Sequence, residues 1–580
     1  MRNFYLFLLA VLCSAWVGAQ PAASSSSTLA GKYFRILGEG TKHIEDKLNQ
    51  PEPTLAKIES QPGWGHFPNA ILVPAVLYTK EHPENRWHKN KKMFDLAIRI
   101  GDLLIEEYDN GSYTSRGDND WDTYMWLEAY RLLGKDLDGK RRNRWKEILL
   151  KEAAVPLPRL ARCQDYPWYN APYIGTSPNH YAIYASQLLL AGTIFDNPEW
   201  TALSTKVLHR FCVEEQSEDG FYGEQSREGP TTGYDYLTMA QIAMYWEFTQ
   251  DPEALKALRR STDFHKNYTY PDGTPVETIN DRNRYWGVSM WGHFGFSHFP
   301  DGRRYASFLT DRFMEFSGEK MQRADIQSVG RIAQNLLYLH EGEEAPIPQD
   351  AESYAHQMKV MAGIRKTFDW TACYSGIVAP SFSANNFFLD RQGNFSVFHK
   401  KTGLIITGAN SKNQPELATF IDQVDDRFLY MPISSRLQMS DEQDRLALSY
   451  NSFFGVLEAP HPSRETFRFR FLTTHKWGEN KSTLNLQLAL KTGEWLETAS
   501  GKRILLDDKT INLSGEDIGG WIKHNGWVLF IPGDMTLQWP VFPFNPYRDA
   551  PETQISHAIG RLATEFSSMN KSFDFSIEVK

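Results

Sequence analysis

An Asn-His pair opens the apolar segment "SPNHYAIYA", which begins at Ser177. Because Pro178 favours the first turn of a helix, Asn179 and His180 are predicted to stand at a helix N-terminus. The unpaired backbone N–H groups and partial positive charge at such an end favour an anion, which an Asn and a His can also bind. The alternative interpretation is a capping Asn followed by a His used in packing.

A second segment, "DGFYGEQSREGPTTGYDYLTMAQ" from Asp219, runs from a Gly-rich loop into a predicted helix. Glu224 and Arg227 lie in the loop, and Tyr234 and Tyr236 lie where the helix begins. The two tyrosines differ by about 200° around a helix, so only one of them is expected to face a pocket. A phenol there can carry a proton; alternatively, both tyrosines are core residues with bonded hydroxyls.

A third polar segment, "PDGTPVETINDRNRYWG" from Pro271, carries Arg282 and Arg284 next to Trp286. Paired arginines are suited to a carboxylate, and an indole ring stacks on the apolar face of a sugar. These residues are therefore predicted to bind substrate. The alternative is an Arg-Asp network that closes a surface turn.

Two earlier loops, "QPGWGHFPNA" and "SRGDNDWDTY", also combine aromatic and polar residues before predicted helices. We expect Trp64 and His66 of the first loop, and Trp121 of the second, to line the same pocket entrance as the three segments above. The acidic "GDNDWD" can alternatively bind calcium, but it lacks a bidentate Glu at the right distance and continues into a helix. No metal and no cofactor is demanded by these patterns.

Carboxylates near these segments leave a second reaction open. Glycoside hydrolases need two carboxylates about 5 Å apart for retention or about 6.5–9.5 Å apart for inversion. The residues able to supply such a pair are Asp120, Asp122, Glu224, Glu228 and Asp235.

Two kinds of periodicity divide the chain. Over residues 29–366, apolar residues recur at three- and four-residue spacing between short Gly, Pro and Asn/Asp breaks, which predicts about ten to twelve helices. Over residues 367–580 the spacing changes to alternation, as in "ETFRFRFLTTHKW" and "SFDFSIEVK". The sequence therefore predicts an (α/α) toroid of helical hairpins followed by an antiparallel β-sandwich.

Composition narrows the class of ligand. The chain has 71 acidic and 62 basic residues, so nucleic acid and anionic membranes are not expected partners. Aromatic residues make up 13% of it, including 17 Trp, which suits a protein that binds carbohydrate but also a large helical core. Cys163, Cys212 and Cys373 match no zinc spacing.

The first residues are typical of an export signal. Arg2 precedes an apolar run from about Phe4 to Val17 and a small-residue pattern that predicts cleavage after Ala19, so residues 1–19 are expected to be a signal peptide. A lipid anchor on Cys13 is the alternative. No later stretch reaches the roughly 20 apolar residues of a membrane span, and the mean hydropathy is -0.48. A secreted or periplasmic protein is expected.

Together these motifs resemble the (α/α)-toroid polysaccharide lyases that carry a C-terminal β-sandwich, the clan of alginate, heparin and chondroitin lyases. Asn179 and His180 match their helix-opening Asn-His, with Tyr184 at the aromatic place that follows. Tyr234 matches their catalytic tyrosine. Tyr236 is a second candidate because the chain after Glu224 is longer than in the family pattern, and Asp235 stands where that pattern has a His.

The resemblance implies β-elimination beside a uronic acid, without a cofactor. The substrate carboxylate must be neutralised, the C5 proton removed and the leaving O4 protonated. Asn179, His180 and an arginine are expected to do the first, and Tyr234 the other two. In loop order the chain is most similar to exo-acting lyases that remove a terminal rhamnose from glucuronate on arabinogalactan.

Two other classes remain open from the sequence. A glycoside hydrolase of the helical-toroid class would use the carboxylates named above, and a non-catalytic glycan-binding protein would use only the aromatic loops. Clustering of Asn-His, Tyr and Arg argues against mere binding. An unsaturated uronate product, detected by its ultraviolet absorbance, would exclude hydrolysis.

Overall fold

The computed structural model of the chain describes residues 28–113, 121–163, 178–224, 229–281, 287–318, 320–378, 386–424, 427–476, 481–546, 554–566 and 570–580. The predicted signal peptide lies outside them. No helix in the described ranges is long and apolar enough to cross a membrane.

Helices occupy the first part of the described chain. They are α1 (Leu29–Leu48), α2 (Leu55–Glu59), α3 (Leu72–Thr79), α4 (Lys91–Asp109), α5 (Trp121–Leu133), α6 (Gly139–Ala154), α7 (Leu157–Cys163), α8 (Pro178–Ile194), α9 (Pro198–Arg210), α10 (Thr232–Thr249), α11 (Pro252–Asn267), α12 (His293–Phe296), α13 (Pro300–Ser317) and α14 (Ile326–Leu337). A 3-10 turn at Phe67–Ile71 precedes α3, and a π-helical turn at Phe211–Glu215 continues α9.

These helices form a closed double ring. Successive inner helices α3, α5, α8, α10, α12 and α14 contact one another, and α14 packs back against α3. The helices between them lie outside, so each inner helix runs in the same direction as the next. Inner helices α8 and α10 are buried on nearly all sides, which explains their lack of a polar face.

Strands follow the ring. They are β1 (Ser353–Gln357), β2 (Ala362–Thr367), β3 (Trp370–Ser375), β4 (Phe395–His399), β5 (Gly403–Thr407), β6 (Phe420–Val424), β7 (Arg427–Leu429), β8 (Ser434–Met439), β9 (Gln443–Ser449), β10 (Phe453–Pro460), β11 (Thr466–His475), β12 (Ser482–Leu488), β13 (Trp495–Thr498), β14 (Arg503–Leu505), β15 (Ile511–Leu513), β16 (Trp521–His524), β17 (Trp527–Phe530), β18 (Thr536–Val541), β19 (Ile559–Phe566) and β20 (Lys571–Val579). A short helix, α15 (Gly515–Ile518), precedes β16.

The strands form two antiparallel sheets. One has the order β1-β2-β3-β4-β5-β12-β19-β18-β15, with β6 and β7 branching from β12, and the other has the order β14-β13-β16-β17-β20-β11-β10-β9-β8. Alternation along β11 turns Phe467, Phe469 and Phe471 inward, and their rings meet Trp370 and Phe420 of the facing sheet. The two sheets are therefore the layers of a sandwich, as predicted.

Strand structure begins earlier than the predicted boundary at residue 367. The helical part ends with α14 at Leu337, and β1 and β2 form a hairpin before that boundary. The segment of β1 is largely polar and alternates only between exposed and half-buried positions, so its sequence lacks the strong apolar alternation of the later strands.

The first sheet packs on the outside of the helical ring. A separate apolar cluster joins Phe264 and Tyr268 of the ring to Ile364, Cys373 and Phe398 of the sheet. Hydrogen bonds reinforce it where the Asp219 carboxylate accepts from the backbone N–H groups of residues 359 and 360. The two domains are thus joined by an apolar cluster and by hydrogen bonds.

Candidate active site

A cavity of about 800 Å³ opens at the end of the ring where α10 begins. One wall is the first turn of α10, with Tyr234 and Leu237, and another is the segment with Met290 and Trp291. Phe313 and Phe316 of α13 complete the apolar surface, and Arg323 and Asp325 supply charge. A groove with aromatic walls and few charges is suited to a sugar chain.

Tyr234 and Tyr236 both line this cavity, but Tyr236 is almost completely buried. At the open end of a helix, side chains from a full turn border the same space. The hydroxyls differ, however. That of Tyr236 is buried and hydrogen-bonded to the Tyr305 hydroxyl at 2.6 Å, and the Tyr236 ring stacks on His265 at 3.7 Å.

Burial raises the pKa of Tyr236 well above its usual range. Because the Tyr305 hydroxyl is bonded in turn to Thr269 at 2.7 Å, the Tyr236 hydroxyl belongs to an internal network. Tyr234 is only half-buried. Of the two predicted proton carriers, Tyr234 is therefore the more exposed.

Asn179 and His180 stand in the first turn of α8, as predicted. The Asn179 side chain is fully buried, and its Nδ2 donates to Glu224 Oε1 at 2.6 Å. Among the described residues its Oδ1 has no hydrogen-bond partner. Glu224 therefore contacts Asn179 and fixes the orientation of its side-chain amide.

Two observations place the starts of α8 and α10 side by side. Ser186 of α8 donates to Gln241 of α10, and Asn179 and Tyr234 each precede that contact by seven residues, or about 10 Å of helix. Because α8 and α10 run in the same direction, Asn179 and Tyr234 lie at the same level of the ring.

The loop before α10 makes the second link between these helix starts. The backbone N–H of Tyr222 donates to Asp235 Oδ1 at 2.7 Å, and Glu224, two residues on, accepts from Asn179. Two residues of chain span at most about 7 Å. Neither Asn179 nor His180, however, is among the described residues that line the Tyr234 cavity.

His180 is half-buried beside α7. Its ring lies edge-on to Tyr184 at 6.4 Å, and the Tyr184 hydroxyl accepts from Arg159 at 3.3 Å. Burial, and secondarily the charge of Arg159, lowers the pKa of His180 to about 4. The imidazole is therefore neutral at pH 7 and acts through its lone pair or its N–H rather than as a cation.

Asp235, which occupies the place of a His in the family pattern, is a buried structural carboxylate. Its Oδ2 lies 2.7 Å from His265 Nε2, and burial raises its pKa. This pair lies beneath the ring of Tyr236 and anchors the first turn of α10 to α11.

Four predicted substrate-binding residues, Arg227, Arg282, Arg284 and Trp286, lie outside the described residues. So does the side chain of Trp121, at the start of α5. Residues on either side of the loop that carries Arg282 and Arg284 are described, and they lie near the start of α10 and in the cavity wall. Asp281 accepts from Thr231, immediately before α10, and Gly287 lines the Tyr234 cavity.

Trp64 and His66 are not in the Tyr234 cavity. Trp64 lines a second cavity of about 390 Å³ with Lys47, whose ammonium lies 4.9 Å from the indole centre. Arg323 lines both cavities, so the two are neighbours. His66 Nδ1 lies 3.4 Å from the carboxylate of Asp122.

The described carboxylates of the hydrolase alternative are engaged by the protein. Asp122 also accepts from Asn69 at 2.6 Å, Glu224 from Asn179, and Asp235 from Tyr222. Asp120 and Glu228 lie outside the described residues, as does most of the "GDNDWD" segment.

Sequence reasoning missed several arginines around the site. Arg323 lines the cavity, and the buried Arg331 places its guanidinium 3.7 Å from the ring centre of Trp291. Burial lowers the pKa of Arg331 to about 9, so it stays protonated at pH 7. Arg391 reaches from the β domain and donates to the backbone carbonyl of Ile279 at 2.7 Å. No local motif marks these residues, because the fold brings them from distant segments.

Comparison with known proteins identifies the fold. Neither a family model nor a curated protein matches the sequence. Among solved structures, chondroitin AC lyase from Streptomyces coelicolor A3 has a TM-score of 0.52 and 11% identity over 97% of this chain and 80% of that one. Heparinase III has a TM-score of 0.50 and 12% identity over 96% of this chain and 91% of that one.

A xanthan lyase from Paenibacillus has a TM-score of 0.51 and 11% identity over 95% of this chain and 59% of that one. At these identities the likeness is one of fold. The chain has the fold of the (α/α)-toroid lyases with a C-terminal β domain, which confirms the predicted fold class.

Proposed function

We propose that the protein is a polysaccharide lyase that cuts a glycosidic bond beside a uronic acid by β-elimination. The observation that carries the proposal is the position of Tyr234, half-buried in the wall of an aromatic cavity and level with the Asn-His pair on the neighbouring inner helix. The shared fold with lyases of chondroitin, heparin-type and xanthan chains supports it.

Each proposed role follows from the chemistry. Tyr234, as the phenolate, removes the C5 proton, and the electrons of that C–H bond form the C4–C5 double bond while the C4–O4 bond breaks. The phenol then returns the proton to O4. Negative charge collects on the uronate carboxylate during proton removal, and Asn179 and His180 stabilise it by hydrogen bonding.

The positive charge that this carboxylate needs must come from arginine, because His180 is neutral at pH 7. Arg282 and Arg284 are the first candidates, since the described residues on either side of their loop lie at the start of α10 and in the cavity wall. Arg227 and Arg323 are further candidates. Trp291 and the second cavity with Trp64 offer stacking surfaces for sugars on either side of the cut, and Trp286 remains a predicted stacking residue.

The test is a panel of uronate-containing glycans, read by the ultraviolet absorbance of an unsaturated uronate. The panel holds chondroitin sulfate, heparan sulfate, xanthan, alginate and a rhamnose-capped arabinogalactan. We propose exo-action on the last of these, for which release of free rhamnose without shortening of the backbone is the specific readout. Hydrolysis products without ultraviolet absorbance would contradict the lyase proposal.

Replacement of Tyr234 provides the mechanistic test. Tyr234→Phe removes only the hydroxyl, so turnover should fall by about 10²-fold or more while the fold is kept. Tyr236→Phe is the matched control, since it removes the hydroxyl that bonds Tyr305 and should cost about 1 kcal/mol of stability with most activity kept. If Tyr236→Phe is inactive and Tyr234→Phe is not, the roles are reversed.

A further inference from the structure

At the opposite end of α10 from Tyr234, three side chains converge on one point. Glu247 lies two residues before α10 ends, His298 lies just before α13, and His340 follows α14. His298 Nε2 is 3.1 Å and His340 Nε2 is 2.8 Å from the same atom, Glu247 Oε1. Thirteen residues of helix, about 20 Å, separate this cluster from Tyr234.

The donor set is one that metals use. Two imidazoles and a carboxylate hold zinc in many sites and iron in others. The three donor atoms lie within 4.8 Å of one another. Ligands at right angles around an ion with bonds of about 2.05 Å are about 2.9 Å apart, and tetrahedral ligands about 3.3 Å, so the observed contacts need to change little.

Burial and bonding also favour an ion over a plain hydrogen-bonded cluster. The His298 side chain is only 7% exposed, yet its Nε2 makes no well-directed hydrogen bond to any described residue. The Glu247 carboxylate stands at a helix C-terminus, where the helix dipole disfavours an anion and a bound cation would offset this. His340 is 43% exposed, which leaves a path for the ion and room for water.

The backbone around the cluster is held in place. The His340 N–H donates to Ser297 Oγ at 3.0 Å, and Arg303 donates to the Ser297 carbonyl at 2.7 Å. The segments that carry the two histidines are therefore bonded to each other before any ligand binds, so ordering costs little on binding.

We propose that Glu247, His298 and His340 bind one divalent transition-metal ion, for which Zn²⁺ is the probe, with water completing the coordination. The ion would tie the end of α10 to the segments before α13 and after α14, closing the ring at the end away from the cavity. The site is structural and independent of the proposed lyase chemistry.

Calorimetric titration of the chelator-treated full chain with Zn²⁺, together with thermal unfolding, tests the proposal. One ion should bind per chain and raise the unfolding temperature. Glu247→Gln keeps an oxygen that can accept from His340 but removes the charge, and His340→Ala removes the most exposed ligand; each should weaken binding by about tenfold or more and abolish the rise.

His209→Ala is the matched control. His209 contacts Asp251 at 2.6 Å on the neighbouring surface, so this variant loses a His-carboxylate pair but none of the three proposed ligands. It should keep both binding and the rise in unfolding temperature. The proposed metal site would be overturned if the wild type bound Zn²⁺ no more tightly than His340→Ala, or if His209→Ala lost as much Zn²⁺ binding as the ligand variants. The three side chains would then be a hydrogen-bonded cluster.

Discussion

The protonation state of His180 should affect the pH dependence of turnover, because the surroundings of this side chain lower its pKa. Its pKa is lowered to about 4, so the neutral form that the proposal requires is present from about pH 5 upward. As pH falls through about 4 the ring gains a proton, and kcat/KM, which reports the free enzyme, should fall with it. A pH profile of kcat/KM on the best substrate of the panel measures this.

The His180→Asn variant is the control for that profile. An amide can still donate a hydrogen bond but does not titrate, so a weaker activity without the acid limb near pH 4 is expected. An acid limb centred near 6.5 in the wild type would mean that burial does not lower the pKa of His180.

At the residue scale, the sequence indicated both Tyr234 and Tyr236 as candidate proton carriers but could not distinguish their surroundings. The choice depends on Tyr305 and His265, which lie far along the chain and meet Tyr236 only through the packing of α10, α11 and α13. The same holds for Arg323 and Arg331, which carry no local signature. Asn179 and His180 were predictable because a Pro-led helix start is a local feature.

At the scale of elements, Glu224 couples the start of α8 to the loop that enters α10. Glu224→Gln keeps an oxygen that can accept from Asn179, so lyase activity should stay within about tenfold of wild type. Glu224→Ala removes the acceptor and lets the Asn179 amide turn, and a loss of about 10²-fold is expected from misplacement alone. Steady-state kinetics of the two variants measure the difference.

Equal, complete loss in both Glu224 variants would point instead to a carboxylate that takes part in the chemistry, and the hydrolase alternative would then gain weight. Equal retention would mean that Asn179 needs no such support. Measuring the unfolding temperature of each variant separates misplacement from misfolding.

Elements with strong periodicity were predictable, and the others were not. The helices that begin at Lys91, Pro178 and Thr232 follow from apolar spacing, because burial rewards that spacing directly. The β1-β2 hairpin was not predicted, because its outer strand β1 is at most half-buried and carries polar residues. Closure of the ring by the contact of α14 with α3 is a property of the assembled helices, and no short segment encodes it.

For the whole molecule, the β domain buttresses the loop that leads toward the cavity. Buried Glu277 accepts from the Thr407 hydroxyl at 3.1 Å and from the Gly408 N–H at 3.0 Å. Four residues further along the same loop, Asp281 accepts from Thr231 at the entrance of α10. The β domain therefore sets the position of a ring loop that borders the candidate active site.

Glu277→Ala should uncouple the two domains. The variant leaves two donors unsatisfied in the interface, at a cost of about 2–4 kcal/mol. We expect a lower unfolding temperature, separation of one calorimetric transition into two, and reduced lyase activity as Asp281 shifts. Asp272→Ala is the matched control, because among the described residues this exposed side chain of the same loop hydrogen-bonds to Thr274 alone, so unfolding should stay a single transition close to that of the wild type. Retention of a single unchanged transition in Glu277→Ala would show that the apolar cluster around Phe264 and Phe398 holds the domains together without these hydrogen bonds.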